Sequence, residues 1–168
     1  KQMVVDAGGI GVAAVGVNPR NDGTHDVYLY DVSKPAVATN QLSVLPTPGL
    51  TYAVTLHRGL AFAADGANGL QVLNYRPPDT ALNPPQIALD ASFSLAPAEA
   101  EEGIRAWVAA RVVDDVNVRT VEFFIDGVRV AEDGAFPFEH RFVTPALGPA
   151  KTAFTIQARA TDTGGNSQ

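Results

Sequence analysis

The feature that most restricts the fold of this 168-residue chain is an internal repeat in its first half. Residues 27–35 align without gaps onto residues 70–78, an offset of 43, and Asp22-Gly23 aligns onto Asp65-Gly66 at the same offset. An apolar segment precedes each copy, at 11–17 and at 60–64. The unit is therefore a strand, an Asp-Gly turn, an alternating strand and a proline stop. A period of about 40–50 residues with several strands per unit predicts propeller-like sheets.

This first half resembles the bacterial LVIVD repeat. The match is carried by residues 59–74, and residues 27–35 follow the second half of the repeat pattern. Residues 75–78, Tyr-Arg-Pro-Pro, depart from it, as expected of a last blade that runs into a linker. The resemblance implies β-propeller blades over residues 1–78. Since a closed propeller needs about 4–8 blades and this half holds two units, we expect an incomplete ring.

The second half carries a different pattern. Pro77, Pro78, Pro84 and Pro85 indicate a linker at residues 79–86. Beyond it, Asp126-Gly127 predicts a two-residue hairpin turn. Alternating apolar residues predict three strands: Ile104, Ala106, Val108, Ala110 and Val112; Val121, Phe123 and Ile125; Phe154, Ile156, Ala158 and Ala160. Short alternating strands separated by turns predict a β-sandwich over residues 87–168.

This half resembles bacterial immunoglobulin-like modules, through residues 121–130, 136–138 and 158–166. The family pattern continues after Asn166 into a further strand. The overall prediction is therefore an all-β chain, with a partial propeller-like repeat followed by an immunoglobulin-like sandwich that lacks its last strand. One sandwich edge is expected to be open unless a partner or further sequence fills it. We also expect both ends of the sequence to lie inside a longer protein.

Composition excludes several classes of function. The net charge of −6 argues against a nucleic-acid partner, and no apolar run approaches the length of a membrane span. The absence of cysteine excludes disulfides and thiolate chemistry. Residues 1–86 hold five Lys/Arg and six Asp/Glu, whereas residues 87–168 hold seven and twelve. We attribute the acid of the second half to solubility.

No motif predicts catalysis. Residues 9–14 fit the glycine fingerprint of dinucleotide-binding proteins, but Pro19 and the nearby valines favour a strand over the helix that this site needs. The three histidines, His25, His57 and His140, are scattered along the sequence. We therefore predict no catalytic residue and no enzyme.

A calcium site is one open alternative. Asp114 and Asp115 follow one predicted strand, and Asp162 and Asn166 follow another, so neighbouring loops at one pole could bring their oxygens together. The loop at residues 65–69 allows the same interpretation. Asp and Asn are also favoured turn residues, and no complete ligand set is spelled out. We therefore assign no metal ligand and no cofactor, and leave Ca²⁺ as an open possibility.

The candidate ligand-binding residues are Trp107, Arg105 and Arg111. By strand parity these side chains face away from Ala106 and Val108. An outward tryptophan flanked by arginines could stack on a sugar or anchor a protein. The favoured alternative is packing against the other half or the linker. Phe124 carries the same ambiguity.

The two resemblances imply a bacterial extracellular or cell-surface protein. We predict a non-catalytic structural or binding region, acting in adhesion or recognition, whose partners are a protein or glycan ligand and the remaining domains of the same polypeptide. One alternative is an accessory carbohydrate-binding or spacer region of a secreted hydrolase. Another is a calcium-rigidified adhesion module.

Overall fold

The computed structural model describes residues 2–14, 26–37, 40–95 and 98–168, and these form antiparallel β-sheets with almost no helix. Two short 3₁₀ turns, Pro35–Val37 and Gly66–Asn68, are the helical elements of these ranges. Neither comes near the length of a membrane-spanning helix. The all-β prediction is confirmed.

The N-terminal region contains two separate sheets, neither of them closed into a ring. The first has the order β1-β2-β3-β4 and the second β5-β6-β7, and all neighbours are antiparallel. The strands are β1 (Gln2–Val5), β2 (Ile10–Ala14), β3 (Val27–Asp31), β4 (Asn40–Leu45), β5 (Ala53–His57), β6 (Leu60–Ala64) and β7 (Leu70–Leu73). Since β3 and β7 start 43 residues apart, the repeat corresponds to two meanders with the same strand order. Propeller architecture is not confirmed.

Several details of the repeat prediction have different outcomes. The strand predicted at 60–64 is β6, as expected. The one predicted at 11–17 is described only as far as Ala14, and residues 15–25, with the Asp22-Gly23 turn, lie outside the described ranges. The glycines at 9 and 11 belong to a turn and to β2, because Gly9 has a φ of 77° and residues 10–14 are extended. This strand replaces the helix that a dinucleotide site would need.

The core of this region is apolar, and a chain of hydrogen-bonded polar residues lies beside it. Its buried apolar residues are Val12, Ala14, Val27, Leu29, Val54, Ala61, Ala63 and Tyr75. Asp26 and Asp65 are buried beside it and are linked through two threonines. Asp26 accepts from the Thr47 backbone N–H at 3.0 Å, the Thr47 and Thr51 hydroxyls lie 2.9 Å apart, and Thr51 donates to Asp65 at 3.0 Å.

The C-terminal region consists of two facing three-stranded sheets, ordered β14-β11-β8 and β13-β12-β15. Their strands are β8 (Gln86–Ala91), β11 (Arg105–Val113), β12 (Val118–Ile125), β13 (Val128–Asp133), β14 (Glu139–Val143) and β15 (Ile156–Asp162), with a short hairpin of β9 (Ser94–Leu95) and β10 (Ala98–Glu99) between the first two. Val108, Val121, Phe123, Phe138 and Ala160 are buried between the sheets. The sandwich-like arrangement is confirmed.

The predicted alternation holds with two corrections. Ala106, Val108, Ala110 and Val112 are all buried, and Asp126-Gly127 forms the predicted hairpin turn with φ angles of 52° and 76°. Ile104, however, precedes β11 and is 39% exposed, and its N–H bonds the Thr144 hydroxyl. Phe154 also lies outside its strand, where its ring meets the edges of Phe93 and Phe142.

The far edge of β15 bears on the prediction of a missing strand. Ser167 pairs with Thr161, and Gln168 exchanges two backbone hydrogen bonds with Ala160, at 2.9 and 3.1 Å. Among the described residues, only these two lie along that edge. The sheet therefore has three full strands, with a turn back along β15 at residues 163–166.

Candidate functional site

The candidate ligand-binding residues lie on the outward face of β11, the central strand of its sheet. Arg105, Trp107 and Arg111 are exposed, while the residues between them that point inward are buried. Trp107 is 40% exposed, which is a large apolar area for a central strand. The predicted parity of all three side chains is confirmed.

A fourth residue, Arg141, joins this face from β14. It lies directly opposite Trp107 in the strand register, and Val143 lies opposite Arg105. Directly opposite side chains in an antiparallel pair have Cβ atoms about 4.5–5.5 Å apart. A shallow groove of about 480 Å³ is lined by Arg105, Ala106, Trp107, Arg141, Phe142 and Val143. We call the set Arg105, Trp107 and Arg141 the Trp107 groove.

Arg111, the third predicted ligand-binding residue, does not line this groove. Its Nε lies 2.6 Å from Oδ2 of Asp90 on β8, and a second guanidinium nitrogen bonds the same carboxylate at 3.1 Å. This pair sits farther along β11, beyond Ala109. Arg111 is therefore paired with Asp90, and the second arginine of the groove is Arg141 on β14.

The predicted calcium residues lie at one pole of the sandwich, where Asp162 lies near Asp114 and bonds Asn166. Asp162 is fully buried, and burial raises the pKa of Asp114 to about 6, with the charge of Asp162 adding to the effect. The Asn166 amide donates to Asp162 at 2.9 Å and to Asp79 at 2.6 Å. The Asn166 side-chain NH2 group therefore joins the carboxylates of Asp79 and Asp162.

Asp115 and the loop at residues 65–69 also make hydrogen bonds within the protein. Asp115 accepts from the amide of Asn83 at 3.2 Å. In the loop at 65–69, the Asp65 backbone N–H bonds Gly69 O at 2.8 Å, so these residues close a turn. Within the described ranges, no three His, Cys, Asp or Glu side chains are grouped to hold a metal.

The two described histidines have separate structural surroundings. His140 lies between the rings of Phe123 and Phe142, at centroid distances of 6.1 and 6.0 Å. His57 lies close to Gly134, where the two halves of the chain meet. His25 lies outside the described residues.

Phe124 lies on the outward face of the other sheet, beneath a charged cluster. The Arg159 guanidinium is 5.7 Å from the Phe124 ring centroid. Glu122, next to it, accepts from Arg129 at 2.7 Å and from Arg159 at 2.9 Å, and these hydrogen bonds lower the pKa of Glu122. This arrangement covers Phe124 and distinguishes it from Trp107.

In the comparisons with known proteins, the family match lies in the sandwich. Residues 95–158 match the family model of the bacterial Ig domain, Big_7, and this segment includes the Trp107 groove. No curated protein and no solved structure matches the chain. The LVIVD resemblance of the first half therefore has no support from a family model. The C-terminal region is similar to a domain type that is non-catalytic and common in bacterial surface proteins.

Proposed function

We propose that this chain is a non-catalytic structural and binding region of a large bacterial extracellular or cell-surface protein, in which two β regions act as one rigid support. The observation that carries the proposal is the contact between the two regions. Two separate connections join them, one at the β5–β6 turn and one at the linker.

At the first connection, the turn at Arg58-Gly59 contacts the pole of the sandwich. The Arg58 backbone N–H donates to Gly134 O at 2.7 Å, and the Asn117 amide donates to Gly59 O at 2.9 Å. Asn117 is only 4% exposed with the two regions in contact, so this hydrogen bond is shielded from solvent. A hydrogen bond of this kind contributes about 0.5–1.5 kcal/mol to the docked state.

At the second connection, Asp79 links the linker to the sandwich. One carboxylate oxygen accepts the N–H groups of Ala81 and Leu82 at 3.0 and 2.9 Å, which shapes the linker. The other accepts from the Asn166 amide. Two connections on different parts of the chain resist hinge motion better than a single flexible linker does.

Gly59 offers a direct test of this docking. Its φ of 77° disfavours any side chain, and an added Cβ would overlap Thr163 and crowd Asn117 on the sandwich. Gly127 has a φ of 76° and open space around it, so Gly127→Ala imposes the same backbone penalty without the collision. Comparison of Gly59→Ala with Gly127→Ala therefore distinguishes the effect of lost docking from the effect of backbone strain.

The measurement is ¹⁵N relaxation of the intact chain. We expect one rotational correlation time for both regions in the original protein and in Gly127→Ala, and two shorter, different times in Gly59→Ala. Independent tumbling of the two regions in the original protein would contradict the rigid-support proposal.

The finer parts of the proposal concern the first half. Its two meanders with a common strand order support propeller-like blades of the LVIVD type over residues 1–78, followed by a linker at 79–86 and the Ig-like sandwich at 87–168. Adhesion or recognition would then be the role of the displayed surface.

A second candidate function is favoured by one specific observation. Trp107 is exposed on a central strand in a groove with two arginines, which supports the accessory carbohydrate-binding role in a secreted hydrolase. The same groove could bind a ligand in either role. The two roles differ in what the rest of the protein is, a surface protein or a secreted hydrolase.

A further inference from the structure

We infer that the Trp107 groove binds an acidic polysaccharide, through stacking of a sugar ring on Trp107 and pairing of a uronate carboxylate with Arg105 and Arg141. This inference rests on the binding role in the proposed function and names its ligand class. It does not depend on the rigidity of the two-region support.

The first argument is the exposed indole. The charged residues on the outward face of the β14-β11-β8 sheet are Asp90, Arg105, Arg111, Glu139 and Arg141. Trp107 is the one aromatic side chain among the described residues of this face, and no described aromatic ring stacks on it. An aromatic face carries partial negative charge and attracts the weakly positive C–H groups of a pyranose ring. Exposed aromatic residues beside arginine are typical centres of binding energy.

The second argument is local charge in an acidic chain. Residues 87–168 are rich in acid, yet this face holds three arginines against two carboxylates. Both carboxylates, Asp90 and Glu139, lie opposite Ala109 and away from Arg105. Among the described residues Arg105 makes no ion pair, and Arg141 has only a 3.8 Å contact with Glu139. The open positive end therefore complements an anion.

The chemistry of the guanidinium group favours a carboxylate partner. Its planar fork pairs with two oxygens at once, and such hydrogen bonds are about twice as strong as neutral ones. Arg141 lies directly opposite Trp107 on β14 and Arg105 lies two residues before it on β11, so a ring on Trp107 can present its carboxylate to either one. The Arg141 side chain is 82% exposed and free to adjust.

The backbone argues for a sugar over a peptide strand. Peptides that bind sheets add to a free edge, where main-chain groups are unpaired. β11 is paired on both sides, and at Trp107 itself the N–H bonds the Ser92 hydroxyl and the carbonyl accepts from the Ser92 N–H, both at 3.0 Å. A ligand on this face has only side chains to contact, which suits a flat ring with a charged substituent.

The chain contains a single tryptophan, so its fluorescence reports the groove directly. The probes are oligogalacturonate, the same oligosaccharide with its carboxylates methyl-esterified, and oligoglutamate of matched charge. In low salt we expect a saturable change in emission with oligogalacturonate, with a Kd of about 0.1–1 mM, as befits a few exposed contacts. The ester and oligoglutamate should bind at least about 10-fold more weakly.

Variants assign the contacts, and calorimetry replaces fluorescence where the indole is removed. Arg141→Gln and Arg105→Gln should each weaken binding about 5–10-fold, and Trp107→Ala by more than about 10-fold. Arg111→Gln is the matched control on the same strand, since its partner is Asp90, and should change the Kd less than about 2-fold. All four positions are exposed, and unchanged melting temperatures check that the fold is intact.

Three results would overturn the inference. They are no response to oligogalacturonate up to 10-fold above the expected range, equal affinity for the ester or for oligoglutamate, and equal damage from Arg111→Gln and Arg141→Gln. None of them bears on the correlation times of the two regions. Failure here therefore leaves the rigid-support proposal standing, and independent tumbling there leaves this site standing.

Discussion

The two halves of this chain bury polar groups in different places. In the N-terminal region, Asp26 and Asp65 are buried beside the apolar core and are joined through Thr47 and Thr51. In the sandwich, large apolar side chains such as Phe123 and Phe138 fill the centre, and the buried Asn117 and Asp162 lie at the pole. Buried polar networks tie a core to one arrangement, whereas apolar packing tolerates more change. We therefore expect the two regions to fail by different mechanisms.

The largest effect is expected in the aromatic core. Phe123→Ala should cost about 3–5 kcal/mol in the free energy of unfolding, because the ring is 1% exposed and its loss leaves a cavity. Urea unfolding followed by Trp107 fluorescence measures it. Phe124→Ala is the control on the opposite face of the same strand, and should cost less than half as much. Equal losses would show that burial does not separate the two faces.

The next largest effect is expected in the polar core. Asp65→Ala should cost about 2–3 kcal/mol, since it leaves the Thr51 hydroxyl without its acceptor. Asp65→Asn keeps a carbonyl oxygen for Thr51 and should cost clearly less. Thermal unfolding of the two variants, followed by NMR signals of β5 and β6, makes the comparison. An Asn variant as unstable as the Ala variant would show that charge, and not the hydrogen bond, matters at this position.

A smaller, pH-dependent effect is expected at Glu122. Its pKa is lowered by hydrogen bonds from Arg129 and Arg159, so its contribution is present at neutral pH and disappears as the pH falls through the folded-state pKa. Glu122→Gln should cost about 1 kcal/mol at pH 7, because the arginines are half exposed and screened by solvent. The cost should shrink as the pH falls through the lowered pKa of Glu122. If the stability lost in Glu122→Gln does not depend on pH, the loss comes from altered packing and not from the charge of Glu122.

The smallest effect, with the opposite sign, is expected at Asp114. Its pKa of about 6 exceeds the ordinary value, so the folded state binds more protons than the unfolded state between pH 4 and pH 6. Stability from this group therefore falls as the pH rises through that interval. Asp114→Asn should raise the melting temperature by about 1–2 °C at pH 7.5 and hardly change it at pH 4. Melting curves at the two values decide this, and a lower melting temperature at pH 7.5 would contradict it.

Local pattern was enough to predict much of the sandwich and little of its surroundings. Alternation predicted β11 and its outward Trp107, and Asp126-Gly127 predicted a hairpin, because both depend on neighbouring residues. Arg141 was missed because its place beside Trp107 depends on the register of two strands that are about 30 residues apart in sequence. The expected grouping of Arg111 with Trp107 ignored Asp90, which comes from the opposite neighbouring strand.

The contact between the two halves was also beyond the sequence pattern. Asn117 reads as an ordinary turn residue, and only the tertiary structure brings Gly59 O within reach of its amide. In the first half, the repeat predicted matching strand units, but the closure of sheets into a ring depends on long-range packing. The structure has two open sheets there, and the propeller prediction stays a prediction.

The docking of the β5–β6 turn has a consequence for sequence drift. Two of its hydrogen bonds use main-chain atoms of the turn, the Arg58 N–H and the Gly59 carbonyl, which every amino acid except proline can supply. Gly59 and Gly134 are restricted by their tight fit, Asn117 by its amide, and Arg58 by its φ of 50°. Related proteins could therefore replace most side chains around this joint and still hold the same angle between the two regions. The angle between the two regions would then be the same in relatives whose sequences have diverged.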